Sequence, residues 1–490
     1  MSMRSGSSRP LAGETGTRNA DGRTGSVIAE KKWEETMQGI ESVRQLALSV
    51  TCAILFAGTV AGAAVAQTKV VRVWHTETDP ASVKAVAEIV GRFEKAHPDI
   101  KIEAEALAWG DLEPKIQAAL AAGAPPELSH GQPITCTALQ QQGLLLPLDD
   151  VVKAIGESNV WDQIKQVCRA DGKYYGLVHA AGTSLLIYRA DWAKQKGLKA
   201  PKTWSDLIAN AKALTMDTND DGKPDVYGLT IPGDNLFINI LIGELIAANG
   251  GQLFDDKNKP LFTDKKMIEL LNFWKELTTA LPPGWEGHGY LDTFANMYGQ
   301  KAAMMFQGYG RGASLIEKYV PKEMQNTDHF DVWMKPVGPS GNKPAVQVDE
   351  EPWMLFKGSK NPEAAKEFLK YFYRDDNYIE YIKSVPIHFF PITKSLRQSA
   401  AYKEIPMVKR WGGWLQVQQE ALDGDLARPT LVVEYEDLNT KPYLMQVLGS
   451  GIIRDMVLET AVEGKKPEEA AAKAQTRAEA LIKKAGYAKW

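Results

Sequence analysis

The chain has 490 residues, 24% of them charged and 44% hydrophobic, a formal net charge of −4, and 26 prolines and 41 glycines dispersed along it. That length and composition suit a soluble body of at least two packed domains and exclude a collagenous, low-complexity or wholly disordered chain. No basic stripe stands ready for phosphates, so nucleic acid is excluded as the main partner.

In chain order, residues 1–36 are rich in Ser, Gly, Arg and Thr without an apolar period, and read as a disordered leader or a misplaced start, Met37 being the more conventional one. Residues 37–66 read as a secretory signal peptide. An apolar run follows Arg44 and ends in Ala64-Val65-Ala66, the small residues expected before a cut at Gln67. A permanent membrane anchor is the competing reading; the Ala/Gly richness of the run and its cleavage-like end favour removal. Cys52 lies in this run with no lipobox before it, so no lipid anchor is expected. The body keeps Cys136 and Cys168, which in an oxidising compartment either pair or remain two buried thiols; both readings stay open.

Val70 to Trp74 is an apolar strand. A helix then opens at Ser82, with Val83, Val86, Ala87, Val90 and Phe93 expected on its buried face. Ile100 to Leu107 alternates as a strand, and Leu112, Ile116, Ala119 and Leu120 follow at helical spacing. This is a βαβ unit, hence a parallel sheet with helices on its faces. Gly176 to Arg189 is extended, and residues 203–214 and Asp264 to Leu277 are helical. Strands follow at 301–306 and 352–356, then a helix with Pro362 in its first turn and Ala365, Phe368, Leu369 and Phe372 facing inward, and a last helix from Pro467. The fold class is α/β, with more than one sheet.

The stretch from Asp217 to Gly228 is patterned like a calcium loop, offering oxygens from Asp217, Asn219, Asp221, the Lys223 carbonyl and Asp225. Gly228 stands where a bidentate Glu should close the sphere, and a strand pattern follows in place of a second helix. The loop is therefore not a calcium sensor. A structural calcium completed by a carboxylate from elsewhere is one reading, a solvated acidic turn stiffened by Pro224 the other.

Ligands of open α/β sheets sit beyond the carboxyl ends of strands. Those ends carry WHTETD (74–79), AWGD (108–111), SHGQP (129–133), GYGR (308–311) and VDEEPW (348–353). Aromatic faces stack on sugar C–H faces, and planar carboxylate and guanidinium groups bond paired hydroxyls, so the set suits a polyhydroxylated ligand.

Five segments in register carry a resemblance: FEKAHPDIKIE (93–103), QQGLLLPLDD (140–150), GKYYGLVHAAGTSLLIYRADWAKQKGL followed by APKTWSDLIANAKAL (172–214), GQKAAMMFQGYG (299–310) and KGSKNPEAAKEFLKYF (357–372). The body resembles the extracellular solute-binding proteins of ABC importers, in the sugar-binding group that includes maltose-binding protein. The resemblance implies a two-lobed periplasmic-binding-protein fold, each lobe a sheet flanked by helices, joined by a multi-strand hinge. It implies lobe one at 68–181 plus 338–383 and lobe two at 185–334 plus 386–490. The implied ligand residues are Trp74, His75, Thr76, Glu77, Trp109, His130, Gln132, Gly182, Thr183, Tyr309, Arg311, Glu350, Glu351 and Trp353, with Trp411 and Trp414 as stacking aromatics. Gly182 stands where maltose-binding protein has an acidic ligand residue, and the aromatic after the AM strand is displaced to Tyr309, which argues against maltodextrin. The implied function is periplasmic capture of a carbohydrate or polyol by a monomer, with ABC permease subunits as partners, no required cofactor, and structural calcium as an option. Arg311 would suit a phosphate or uronate and the acidic residues 349–351 disfavour one; the balance favours a neutral ligand.

Two other classes compete. The sequence holds no GxSxG, GxxxxGK, HExxH or Cys/His pairs at metal spacing, which leaves a glycosidase pairing Glu77 with Glu350 or Glu351 as the enzyme alternative. The same fold could also present its closed form to a chemoreceptor.

Overall fold

The computed structural model describes residues 68–162, 164–423, 426–428 and 444–490; the leader and signal-peptide readings at 1–36 and 37–66 lie outside the described residues. Strand β1 (Lys69–His75) buries Val71 and Val73 completely. Helix α1 (Pro80–Ala96) starts two residues earlier than its apolar pattern suggested, because Asp79 accepts from the Ser82 amide and Pro80 fills the first turn. Its buried stripe is Ser82, Ala85, Val86, Ile89 and Phe93, rotated from the expected one; Val83 is 40% exposed. The observed stripe centres Ile89 between Val86 and Phe93 and turns Val83 to solvent. Strand β2 (Ile100–Ala106), helix α2 (Trp109–Ala121) and strand β3 (Leu128–His130) complete the βαβ unit, with β1 parallel to both β2 and β3.

Strands β4 (Gly176–Thr183) and β5 (Leu185–Arg189) are buried throughout and separated only by Ser184. Beyond them come α3 (Asn235–Ala248), β6 (Met304–Gly308), α4 (Arg311–Tyr319), β7 (Phe330–Trp333) and β8 (Val346–Leu355). Helices α5 (Pro362–Phe372), α6 (Asp375–Ile382) and α7 (Gly412–Asp423) follow, then β9 (Ala427–Arg428). One sheet runs β9–β8–β3–β1–β2, with β4 also pairing β8. In it, β8 is antiparallel to β3 and β4 and parallel to β9. The second sheet is β6–β5–β7, antiparallel throughout. The chain therefore leaves the first sheet at Ser184 and returns to it between β7 and β8. A third passage follows α6, where Ala181 and Phe390 exchange backbone hydrogen bonds of 3.0 and 2.8 Å.

One hydrophobic cluster centres on Val71, Val73, Ile102 and Leu128 with Phe93, Phe368 and Phe372, and continues through Phe390, Trp411 and Trp414. The other packs Leu241, Leu270, Trp274, Ile453 and Ile482 against Leu186 and Met304. Among the described residues no helix is long and apolar enough to cross a membrane.

Cys136 and Cys168 form a disulfide, their Cα atoms 5.9 Å apart across a sequence separation of 32. Closing a loop of that length removes on the order of 3–4 kcal/mol of unfolded-chain entropy. Replacing both cysteines by alanine is expected to lower the unfolding free energy by about that amount, read from the urea midpoint; an unchanged midpoint would deny the bridge a stabilising role.

Candidate ligand-binding cleft

Where β4 passes into β5, a buried ion pair ties the crossing segments together. Lys335, following β7, donates to both oxygens of Glu244 on α3 at 2.9 and 2.7 Å and to the Ser184 hydroxyl at 2.8 Å. The same carboxylate accepts from Ser184 and from the Gln347 amide on β8. Burial lowers the Lys335 pKa, opposed by its attraction to Glu244. Beside this network the Gln347 carboxamide oxygen accepts from Gln307 at 3.1 Å and from Tyr309.

The strand ends converge on four of the seven histidines, His75, His130, His179 and His388, all buried. The His130 and His179 rings stack with centroids 4.0 Å apart and planes within 5°, and the Trp353 ring lies tilted by 58° with its centroid 3.9 Å from that of His130. His179 holds Glu351 through Nε2 at 3.0 Å and meets the Tyr381 hydroxyl through Nδ1 at 2.9 Å. The Thr76 backbone N–H donates to His130 Nδ1, which places the His130 proton on Nε2. His75 Nδ1, His130 Nε2 and His388 Nδ1 are buried and meet no partner among the described residues. Such atoms are costly unless satisfied, and a ligand hydroxyl, which both donates and accepts, satisfies a neutral imidazole.

Arg311, first residue of α4, reaches across to the end of β1, donating to Glu77 at 2.8 Å and to Asp79 at 3.1 Å. Burial works against its charge, but Glu77, Tyr290 and Asp79 together outweigh burial and raise its pKa. A cavity of about 10 Å³, room for one water, remains between His179, Gly182, Glu351, His388 and Phe389.

His130, His179 and Glu351 bring three donor atoms within 4.8 Å of one another. The two imidazoles are parallel, so their in-plane lone pairs cannot meet at one ion, and His130 presents an N–H where a ligand atom is needed. The contacts within the group are the stacked rings and the His179–Glu351 hydrogen bond. At the Asp217 loop, Asp217 accepts from the amides of Asn219, Asp221 and Gly222, Asn219 and Asp221 accept from the amides of Asp221 and Lys223, and Asp225 accepts from Thr218. These bonds tie the exposed turn to itself, with the Thr218 hydroxyl holding the Asp225 carboxyl below its ordinary range.

Of the expected ligand residues, the structure gathers His75, Thr76, Glu77, His130, Gly182, Arg311, Glu351 and Trp353, and sets Tyr309 against His388 with ring centroids 6.3 Å apart. Trp74 is buried with Lys115 4.5 Å over its ring, and Glu350 is buried on β8. Trp109 and Gln132 stand half-buried at helix starts. Thr183 is buried and donates its amide to Gln418. Trp411 and Trp414 pack edge to face in the first core, Trp411 donating to Glu317. They are core residues because the short helices before α7 fold their apolar faces under it. His179, His388 and Phe389 escaped the sequence reading: His179 lies mid-strand, and the other two follow a turn no motif announces.

The sequence matches the profile of the bacterial extracellular solute-binding protein family over residues 88–409. The chain belongs to that family. Among its relatives, YcjN of Escherichia coli (strain K12) is 21% identical over 396 residues, 79% of this chain and 87% of YcjN. Solved relatives show the same fold. The ABC-transporter solute-binding protein of Thermotoga lettingae TMO, bound with α-D-tagatose, matches with a TM-score of 0.69 and 20% identity over 84% of this chain and 100% of that one. That of Agrobacterium radiobacter K84, in complex with ribitol, matches with a TM-score of 0.69 and 20% identity over 85% and 99%. The fold is accordingly the two-lobed one, the family consists of binding proteins and not enzymes, and it works outside the cytoplasm. The glycosidase alternative falls with this, and Glu77 is already held by Arg311.

Burial, the first cause in each case, lowers the pKa of His75 and of His179 to about 4, and those of His130 and His388 well below 6.5. The unfolded chain then binds more protons than the folded one below pH 6.5. Stability is expected to be full above that pH and to fall as pH drops towards 4, by roughly 3 kcal/mol for each of His75 and His179. Urea unfolding from pH 7.5 to 4.5 measures the slope, and a flat profile would contradict it.

Proposed function

We propose that this solute-binding protein captures a neutral sugar or polyol between its two lobes, as a monomer in the periplasm, and delivers it to the membrane subunits of an ABC permease. The lobes we assign are 68–181 with 338–383 and 185–334 with 386–490, and residues 37–66 are assigned as the cleaved export signal. The observation that carries the reading is the convergence of four uncharged buried imidazoles with Glu77, Arg311 and Glu351 where the two sheets meet. Imidazole nitrogens match hydroxyls one to one, and Arg311 is engaged by Glu77 and Asp79 and so is not an anchor for an anion. Relatives support the class: a mannitol-binding protein of Pseudomonas aeruginosa and a maltotriose-binding protein of Pyrococcus abyssi are 25% and 23% identical over the parts that align. Ligand touching both lobes favours the closed form by its differential affinity for it, and the closed form is what the permease meets.

Thermal denaturation of the chain from Gln67 against D-tagatose, ribitol, mannitol, maltotriose, a sugar phosphate and an amino acid tests this. A neutral member at about a hundred times its Kd should stabilise the fold by about 2.7 kcal/mol. Stabilisation by the sugar phosphate alone would reverse the charge argument. The capture needs no cofactor; a calcium at Asp217, Asn219, Asp221, Lys223 and Asp225 would stiffen a surface turn. EDTA is accordingly expected to leave the ligand-induced shift unchanged, and its loss would move the ion into the mechanism.

A further inference from the structure

Ile387, in the third passage between the lobes, has φ of +74°. That is the left-handed region, which a β-branched residue adopts only when its surroundings hold it there. The turn makes the next two residues, His388 and Phe389, part of the cavity wall, Phe389 stacking on Tyr381 at 4.7 Å. What holds it is Gln418 on α7, wholly buried. Its Nε2 donates to the Ile387 carbonyl at 3.0 Å, and its Oε1 accepts from the Thr183 amide at 3.3 Å. One carboxamide thus spans the third passage and the first. From the other side Gly310 presses on the same turn: a Cβ there would stand 2.2 Å from the Ile387 oxygen.

We propose that Gln418 is a positioning residue for ligand capture, gripping the Ile387 carbonyl and the Thr183 amide so that the left-handed turn delivers His388 and Phe389 to the cleft. The inference rests on the capture reading and adds the device that builds one wall of the site. Both halves of the amide are used, so no other side chain replaces it. Glutamate has no donor for Ile387, asparagine is a methylene short, and leucine fills the volume with neither bond.

The test needs no ligand. His388 is enclosed with Arg311, His179 and Tyr309 facing it and Glu351 on the same cavity, and burial keeps it neutral well below 6.5. Ring-proton NMR titration of the wild type, Gln418→Leu, Ile387→Gly and the double variant reads its position. In Gln418→Leu, the released turn should let His388 titrate near its ordinary value. Ile387→Gly should keep the low value, since glycine adopts positive φ freely, and should restore it in the double variant. If Gln418→Leu lowers the urea midpoint while His388 still titrates as in wild type, Gln418 is merely structural and the proposal is overturned. Should Gln418→Leu not fold, Gln418→Asn carries the same expectation. With any of D-tagatose, ribitol, mannitol or maltotriose that binds, Gln418→Leu should weaken affinity at least about tenfold, and Ile387→Gly should recover it. Failure of all four solutes to bind would count against the ligand class and leave the His388 titration to decide the proposal.

Discussion

The structure turns on the buried pair between Lys335 and Glu244. Two sheets that share one chain must be joined by backbone buried on all sides, and that backbone needs partners. Glu244 supplies them by accepting from Lys335, Ser184 and the Gln347 amide, so three separate segments meet on one carboxylate. A buried ion pair returns its desolvation cost only when the remaining lone pairs and protons are satisfied, as they are here. Removing either partner would strand the other charge at about 3–5 kcal/mol. The pair sits where β4 passes into β5, beside the strand ends that line the candidate cleft.

Within the cleft, low polarity sets the chemistry. Enclosure strips the histidines of charge, and a neutral imidazole is a directional hydrogen-bonding group in place of a cation. The acidic residues there act through partners. Glu77 and Asp79 neutralise Arg311, and Glu351 accepts from His179. The Arg311 contact joins the end of β1 to the start of α4. In the proposed capture such a contact forms on closure and is lost on opening, so that ligand binding and closure share one equilibrium.

Much of this was legible in the sequence where a pattern repeats locally. The βαβ unit, the extended run through Ser184 and the helix after Pro362 are local consequences of apolar period and capping, and the structure has each of them. Register around a helix was less legible: the stripe on α1 turned to Ile89, burying Ser82 and Ala85 in place of Val83, which the apolar spacing alone did not indicate. Strand-end motifs singled out His75, Glu77, His130 and Arg311, which the structure brings close together.

The sequence by itself determined the α/β class and the family, because these rest on local periodicity and on short motifs in order. Only the tertiary structure decided that Cys136 meets Cys168, that Trp411 and Trp414 are core, and that His179 and His388 belong to the cleft. Each of those depends on segments far apart in the chain, and Ile387 adopts a backbone conformation that its own side chain disfavours and Gln418 maintains. No local pattern encodes a contact whose partner lies tens to hundreds of residues away, as between Cys136 and Cys168 or between His179 and Glu351, so such contacts are decided only by the tertiary fold.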